Sequence, residues 1–161
     1  MEEFNFTASK LFCSANRFIE AYHTVLQPLC KETGLPPLAV DILMFIANNP
    51  ESSTAKDICK CRGLKSGIVS VHIERLVSEG LLVRQNVPDD RRKTNLTCTA
   101  HAADIVKTGH ALQKCFAREL LAGLSEEDIK TFRNCLAVLS ENTENIRKSG
   151  ILPEERSLCN V

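Results

Sequence analysis

Three consecutive cations, Arg91, Arg92 and Lys93, lie at a turn between two short runs in which apolar and polar residues partly alternate. The runs span residues 81–85 and 96–99 and are typical of a two-stranded hairpin. Cations at a hairpin tip can bind DNA phosphates, and the negative potential of a narrow minor groove favours arginine. The pattern therefore predicts a DNA-contacting hairpin, with a merely solvated loop as the alternative.

The segment from residue 65 to residue 79, directly before the hairpin, has the periodicity of an amphipathic helix that ends at Gly80. Val69, Ile73 and Leu76 fall on one face, and the opposite face carries short side chains near its N-terminal end. Such a face lets a helix approach the bases in the major groove. The DNA contacts predicted on this helix are Lys65, Ser66, Ser70, Val71 and Arg75.

Two parts of this helix have specific physical grounds for DNA contact. Lys65 and Ser66 lie at its start, where free amides and the positive end of the helix dipole favour a phosphate. An ordinary N-cap explains Ser66 equally well. Val71 has no hydrogen-bonding side chain, so it can contact a base only by packing against a thymine methyl group.

The helix and hairpin together resemble the recognition helix and wing of the MarR family of winged-helix transcription regulators. With a long helix on each side, the resemblance covers about residues 4–146. Gly67 departs from the polar residue that the family usually has, and Val71 departs from a frequent cation. The residues that carry the resemblance are Leu64 to Ser70, Glu74 to Leu76, Gly80 to Leu82, Arg84, Asp90 to Arg92 and Leu96 to Thr99.

The resemblance implies a DNA-binding transcription regulator, a repressor or less often an activator, that binds a pseudo-palindromic operator as a homodimer. It also implies that the first, fifth and sixth helices form the dimer lobe. A small effector, often aromatic or phenolic, would bind in a crevice lined by the first, second and fifth helices. Its binding would shift the two recognition helices out of register and release DNA.

The composition of the 161-residue chain, 43% apolar and 25% charged, is that of an ordinary soluble globule. Its formal net charge is zero, but the cations are unevenly placed. Residues 56–94 hold nine cations and five carboxylates, a surplus of four positive charges that the rest of the chain balances. The positive end of this charge dipole lies at the predicted helix and wing, as double-stranded DNA requires.

The fold class predicted is mainly α with a small β-wing: a winged helix-turn-helix DNA-binding lobe joined to a helical dimerisation lobe. The predicted parts are an N-terminal dimerisation helix (1–35), the DNA-binding region (36–99), C-terminal dimerisation helices (100–147) and an irregular tail (148–161). The apolar stripes of the terminal helices exceed what one winged-helix core can cover. A two-fold homodimer would cover them and place its recognition helices about 34 Å apart.

Eight cysteines occur at helical-core spacings rather than in a compact disulfide framework, so we expect thiols in a reducing cytosol. Cys59 and Cys61 lack the second pair that a structural zinc site needs, and we predict neither a metal nor a cofactor. The four histidines are scattered singly, and no nucleophile, base and orienting acid can be assembled. The sequence therefore does not predict an enzyme.

Cys13 is the candidate for a different kind of switch. Peroxide-sensing members of the family that the chain resembles keep a reactive cysteine early in the first helix. Such a thiol needs a nearby donor or cation, and Arg17 lies one helical turn away, whereas Tyr22 is the only tyrosine in the chain. A regulator that senses oxidation through the Cys13 thiol is thus the alternative to control by a ligand. The simpler interpretation of Cys13 is a thiol that only packs in the core.

Neither a signal-peptide pattern nor a membrane span occurs in the sequence, so we expect a cytoplasmic protein without a membrane partner. A winged helix retained only as a protein-interaction module is a further alternative, which the basic wing tip disfavours.

Overall fold

The computed structural model describes residues 7–87 and 90–150, with only the backbone of residues 86, 87 and 90–93. The described part contains six α-helices and one two-stranded sheet, as the predicted fold class requires. The described residues divide into two compact units, and the boundary in the chain lies between Ala117 and Arg118. The elements are α1 (Ala8–Thr33), α2 (Pro37–Asn48), α3 (Ala55–Arg62), α4 (Ser66–Ser78), β1 (Leu82–Val87), β2 (Asp90–Cys98), a 3-10 turn (Ala100–Ala102), α5 (Ala103–Leu120) and α6 (Glu126–Ser149).

Local capping signals fix where several helices begin. Thr54 caps α3 through a capping box in which its side chain accepts from the Asp57 amide and the Asp57 carboxylate accepts from the Thr54 amide. Ser125 and Asp128 form the same arrangement at the start of α6. Each box satisfies amide donors that a helix start otherwise leaves unpaired.

One helix end lies beyond its predicted boundary. Helix α1 lies within the predicted N-terminal helix (1–35) and is terminated by Gly34 at φ 70°. Helix α6 continues through Lys148 and Ser149, where an irregular tail was expected to begin. Helical hydrogen bonding there needs no apolar periodicity, which explains why the sequence pattern missed this last turn. Residues 4–6 and 151–161 lie outside the described residues.

Helix α2 is the centre of the core. Residues 39–46 are all buried, and α2 packs against α1, α4 and β2. Leu43 and Met44 have no exposed surface, and burial of such side chains contributes about 1.5–3 kcal/mol each. The sequence of this helix from Leu38 to Ile46 is apolar except for Asp41, as expected for a helix enclosed by other elements.

The wing is an antiparallel pair in which Leu82 faces Cys98 and Arg84 faces Leu96, with a register shift between Asn86 and Val87. The base of the wing is hydrogen-bonded to the segment before α3, because the Leu96 amide donates to the Ser53 carbonyl at 3.0 Å. The wing is therefore held beside the loop that begins α3, and its base is part of the core.

Apolar stripes remain exposed on two of the long helices. Leu11, Phe12, Phe18 and Ile19 on α1 are exposed, and α6 has no buried residue at all. None of the described helices has both the length and the apolar content needed to cross a membrane.

Candidate nucleic-acid interface and cavity

Helix α4 has one buried face and one exposed face. Val69, Ile73 and Leu76 are buried, whereas Ser70 is exposed and Val71 keeps 66% of its surface exposed. The two faces are those that the periodicity predicted, so the predicted base-contacting side chains lie on the surface of the helix.

The start of α4 offers free backbone donors. Lys65 occupies the N-cap position without a side-chain capping hydrogen bond, and Ser66 is the first helical residue. The N-cap explanation of Ser66 is therefore wrong, since the capping position lies one residue earlier. Both side chains are exposed beside helical amides suited to a phosphate.

Arg75 lies at the other end of α4 and makes two contacts within the protein. Its Nη2 donates to the Gly34 carbonyl at 2.8 Å, and its Nε donates to Glu79 at 2.8 Å. The guanidinium thus joins α4 to the turn after α1. Contact of Arg75 with DNA stays a prediction and would compete with these bonds.

The wing is linked to α4 by an ion pair between Arg84 on β1 and Glu74, with Nη2 and Oε1 2.5 Å apart. Exposed pairs of this kind contribute at most about 1 kcal/mol to stability. Their geometric effect matters more here, because this pair joins the wing to α4. The side chains of Arg91, Arg92 and Lys93 lie outside the described residues, so their DNA contacts stay predictions.

A cavity of about 520 Å³ lies within the first unit and is lined by residues of α1, α2, α3, the turn after α3, and α5. We had expected a crevice lined by the first, second and fifth helices, and α3 also contributes here. The lining side chains are Phe18, Ile19, Tyr22, His23, Leu38, Asp41, Cys61, Arg62, Leu64, Gln113 and Phe116.

An ion pair between Asp41 and Arg62 forms part of the cavity wall. Arg62 donates from Nε to Oδ2 at 2.9 Å and from Nη2 to Oδ1 at 3.1 Å. The Asp41 side chain is only 6% exposed, and the guanidinium also lies over the Phe45 ring at 5.3 Å. In the sequence, Asp41 only interrupts an apolar run, and nothing local indicates its partner 21 residues away.

A chain of hydrogen bonds connects α5, α2 and α1 at the cavity. His110 Nε2 lies 2.8 Å from Asn48 Oδ1, and Asn48 Nδ2 donates to Gln113 Oε1 at 3.1 Å. Gln113 Nε2 donates to the Tyr22 hydroxyl at 2.8 Å. Burial, chiefly, raises the pKa of Tyr22 above its ordinary value, so the phenol is protonated at neutral pH. Sequence periodicity missed this chain because its members come from three separate helices.

Cys13 is exposed on α1, and Tyr22 follows it by nine residues, about 13 Å along the helix axis. Tyr22 is therefore too far away to donate a hydrogen bond to that thiol. Within residues 7–87 and 90–150, no group of three histidine, cysteine or acidic side chains is placed to hold a metal ion.

A helix-turn-helix with an attached β-wing defines the class of winged-helix DNA-binding folds. The sequence model of the MarR family matches residues 33–93, which span the helix-turn-helix and most of the wing. An uncharacterized HTH-type transcriptional regulator of Bacillus subtilis, YdgJ, is 26% identical over 114 residues, 71% of this chain and 69% of the relative.

Solved structures share the fold. A putative MarR family regulator from Listeria monocytogenes, complexed with 26mer DNA, matches with TM-score 0.72 and 15% identity over 88% of this chain and 96% of that one. The S. aureus MepR–DNA complex matches with TM-score 0.67 and 19% identity over 88% and 99% of the two chains. The family model confirms the resemblance to the MarR family over residues 33–93, and the solved structures show that the chain shares their fold.

Proposed function

We propose that this protein is a MarR-family transcription regulator that binds a pseudo-palindromic operator as a homodimer in the cytoplasm and represses nearby genes. The observation that carries the proposal is the position of α4, whose short-chained face is exposed beside a wing that bears three consecutive cations. A major groove admits a helix of this shape, and phosphates beside it attract the wing.

The proposed homodimer forms through α1, α5 and α6. The exposed apolar stripes on α1 and α6 support it, because a self-complementary surface would remove them from water. Two copies of α4 would then face successive major grooves, as a two-fold operator requires.

A small-molecule effector is the proposed signal for DNA release. The cavity supports this, since its lining is largely aromatic and aliphatic with a few polar groups, as in most small-ligand sites. A ligand there would touch α1, α2, α3 and α5, and so could alter the distance between the two recognition helices of a dimer. Oxidation of Cys13, the alternative signal, is supported only by the exposure of its thiol.

The DNA-binding proposal is tested by neutralising the wing. Arg91→Ala and Arg92→Ala should each weaken DNA binding without loss of folding. If each change removes one phosphate contact per subunit, the salt dependence of a dimer should fall by about two units, at roughly 0.9 per phosphate. Fluorescence anisotropy with duplex DNA over a range of salt concentrations measures both quantities.

The matched control is Lys107→Ala, which removes an exposed cation from α5. Its DNA affinity and salt dependence should equal those of the wild type. Unchanged affinity in both wing variants would exclude the proposed interface and favour a protein-interaction module.

A further inference from the structure

The hydrogen bonds that lead from His110 to Tyr22 determine whether the Tyr22 hydroxyl acts as a hydrogen-bond donor or acceptor in the cavity. The side-chain amide of Asn48 donates to Gln113, and the side-chain amide of Gln113 donates to the Tyr22 oxygen on α1. Because that oxygen accepts, its own proton remains for another partner. Among the described residues no acceptor receives it, and Tyr22 lines the cavity.

The direction of the chain depends on His110. Donation toward Asn48 requires a proton on Nε2, which one neutral tautomer and the charged form both carry. If both amides were turned over, Tyr22 would donate to Gln113 and present only lone pairs to a ligand. The first direction of the hydrogen-bond chain therefore favours a ligand with a hydrogen-bond acceptor, and the reversed direction favours a ligand with a donor.

The charged groups of the cavity compensate each other. Among the described residues that line the cavity, Asp41 and Arg62 are the only acidic or basic side chains other than His23, and they form a two-bond ion pair. Arg62 gives its Nε donor and one Nη2 donor to Asp41, so the almost completely buried carboxylate already compensates the guanidinium charge. An anionic ligand at the remaining N–H donors of Arg62 would also lie near Asp41, and repulsion between the two negative charges would offset the gain from the new contact.

We propose that the cavity selects an uncharged aromatic ligand whose hydrogen-bond acceptor, such as a ketone or quinone carbonyl, receives the Tyr22 proton. Gln113 sets this preference, because its side-chain amide donates to the Tyr22 oxygen and so leaves the Tyr22 proton for the ligand. This inference rests on the proposed control by an effector and adds the chemical class of that effector.

Three probes of similar size separate the possibilities: 2-acetylnaphthalene is a neutral acceptor, 2-aminonaphthalene a neutral donor and 2-naphthoate an anion. Calorimetric titration of the full chain in the absence of DNA measures the affinity of each probe. The ketone should bind about tenfold more tightly than either other probe, because the Tyr22 proton finds no hydrogen-bond acceptor on the amine and the naphthoate is charged.

Gln113→Glu should reverse the order of the two neutral probes. A carboxylate at residue 113 accepts from both Asn48 and Tyr22, so the Tyr22 proton is withdrawn from the cavity and its lone pairs are presented instead. Tyr22→Phe should abolish the preference between these probes but keep their binding, because the ring packed 5.4 Å from Phe116 is retained. Gln27→Glu, the same change at an exposed position of α1, should behave as the wild type.

Tighter binding of the amine or of the naphthoate by the wild type would overturn the inference, as would an unchanged order in Gln113→Glu. Failure of all three probes to bind the wild type would also overturn it. DNA binding measured on the same preparations reports separately on the proposed function, because the probe titrations contain no DNA.

Discussion

Gly109 on α5 lies directly against Met44 on α2, so that a Cβ atom added at residue 109 would overlap the Met44 sulfur. Gly109 is buried, and Met44 has no exposed surface. The absence of a side chain at residue 109 is what allows α5 to approach the central helix this closely.

We expect Gly109→Ala to lower the free energy of unfolding by about 1–3 kcal/mol, because the added methyl group overpacks the core. Gly67→Ala is the control, since a Cβ there meets nothing within 4 Å. Removing that helical glycine should raise the free energy of unfolding by up to about 1 kcal/mol. Urea denaturation measures both, and equal stabilisation by the two changes would contradict the close approach.

The homodimer should be broken by charges on the apolar stripe of α6. Leu136 and Leu139 are about half exposed on one face of that helix, so we expect the double change Leu136→Glu and Leu139→Glu to produce monomers. Light scattering should give twice the 17.9 kDa chain mass for the wild type and the chain mass for the variant. Burying four like charges in a two-fold interface is too costly for association.

Val138→Glu provides the matched control for this experiment. Val138 is 57% exposed but faces away from the Leu136 and Leu139 stripe by the 100° step of a helix. That variant should remain dimeric. Dissociation of Val138→Glu as well, or a monomeric wild type, would show that this stripe is not the interface.

His72 on α4 should make stability depend on pH. Its Nδ1 is buried and has no hydrogen-bond partner among the described residues. Burial, with a smaller effect of the Arg75 charge, lowers the pKa of His72 below its ordinary value of 6.5. The folded state therefore favours the neutral imidazole, and the unfolded state binds the proton more readily.

This contribution to stability is complete above pH 6.5 and is lost as the pH falls from there through the lower pKa of the folded state. His72→Asn should remove that part of the pH dependence. The test measures the free energy of unfolding of the wild type and of His72→Asn between pH 5 and pH 8. The difference between the two proteins removes the contributions of the other titrating groups. A difference that does not vary across this range would exclude the proposed titration.

Cys13→Ser distinguishes the two kinds of switch. If a ligand in the cavity is the signal, this change should leave ligand-induced DNA release intact, because Cys13 does not line the cavity. If oxidation is the signal, the variant should bind DNA normally but no longer respond to peroxide. We expect the first result in a DNA-binding assay with and without dilute organic peroxide. Peroxide-driven release that is lost only in Cys13→Ser would establish the redox alternative.

The sequence by itself determined the elements and their exposed faces. The two faces of α4, the capping boxes at Thr54 and Ser125, and the burial of α2 all follow from residues within one or two helical turns of each other. Periodicity and capping are local, so one chain carries enough information to predict them. The wing was equally predictable, because its strands are adjacent in the chain.

Only the tertiary structure decided which distant polar groups meet. Arg62 reaches Asp41 across 21 residues, Arg75 reaches Gly34 across 41 and Gln113 reaches Tyr22 across 91. None of these partners can be inferred from spacing, because helix packing and not helix periodicity sets their distances. The location of the cavity was expected from the family resemblance, but its polarity follows from these three-dimensional contacts alone.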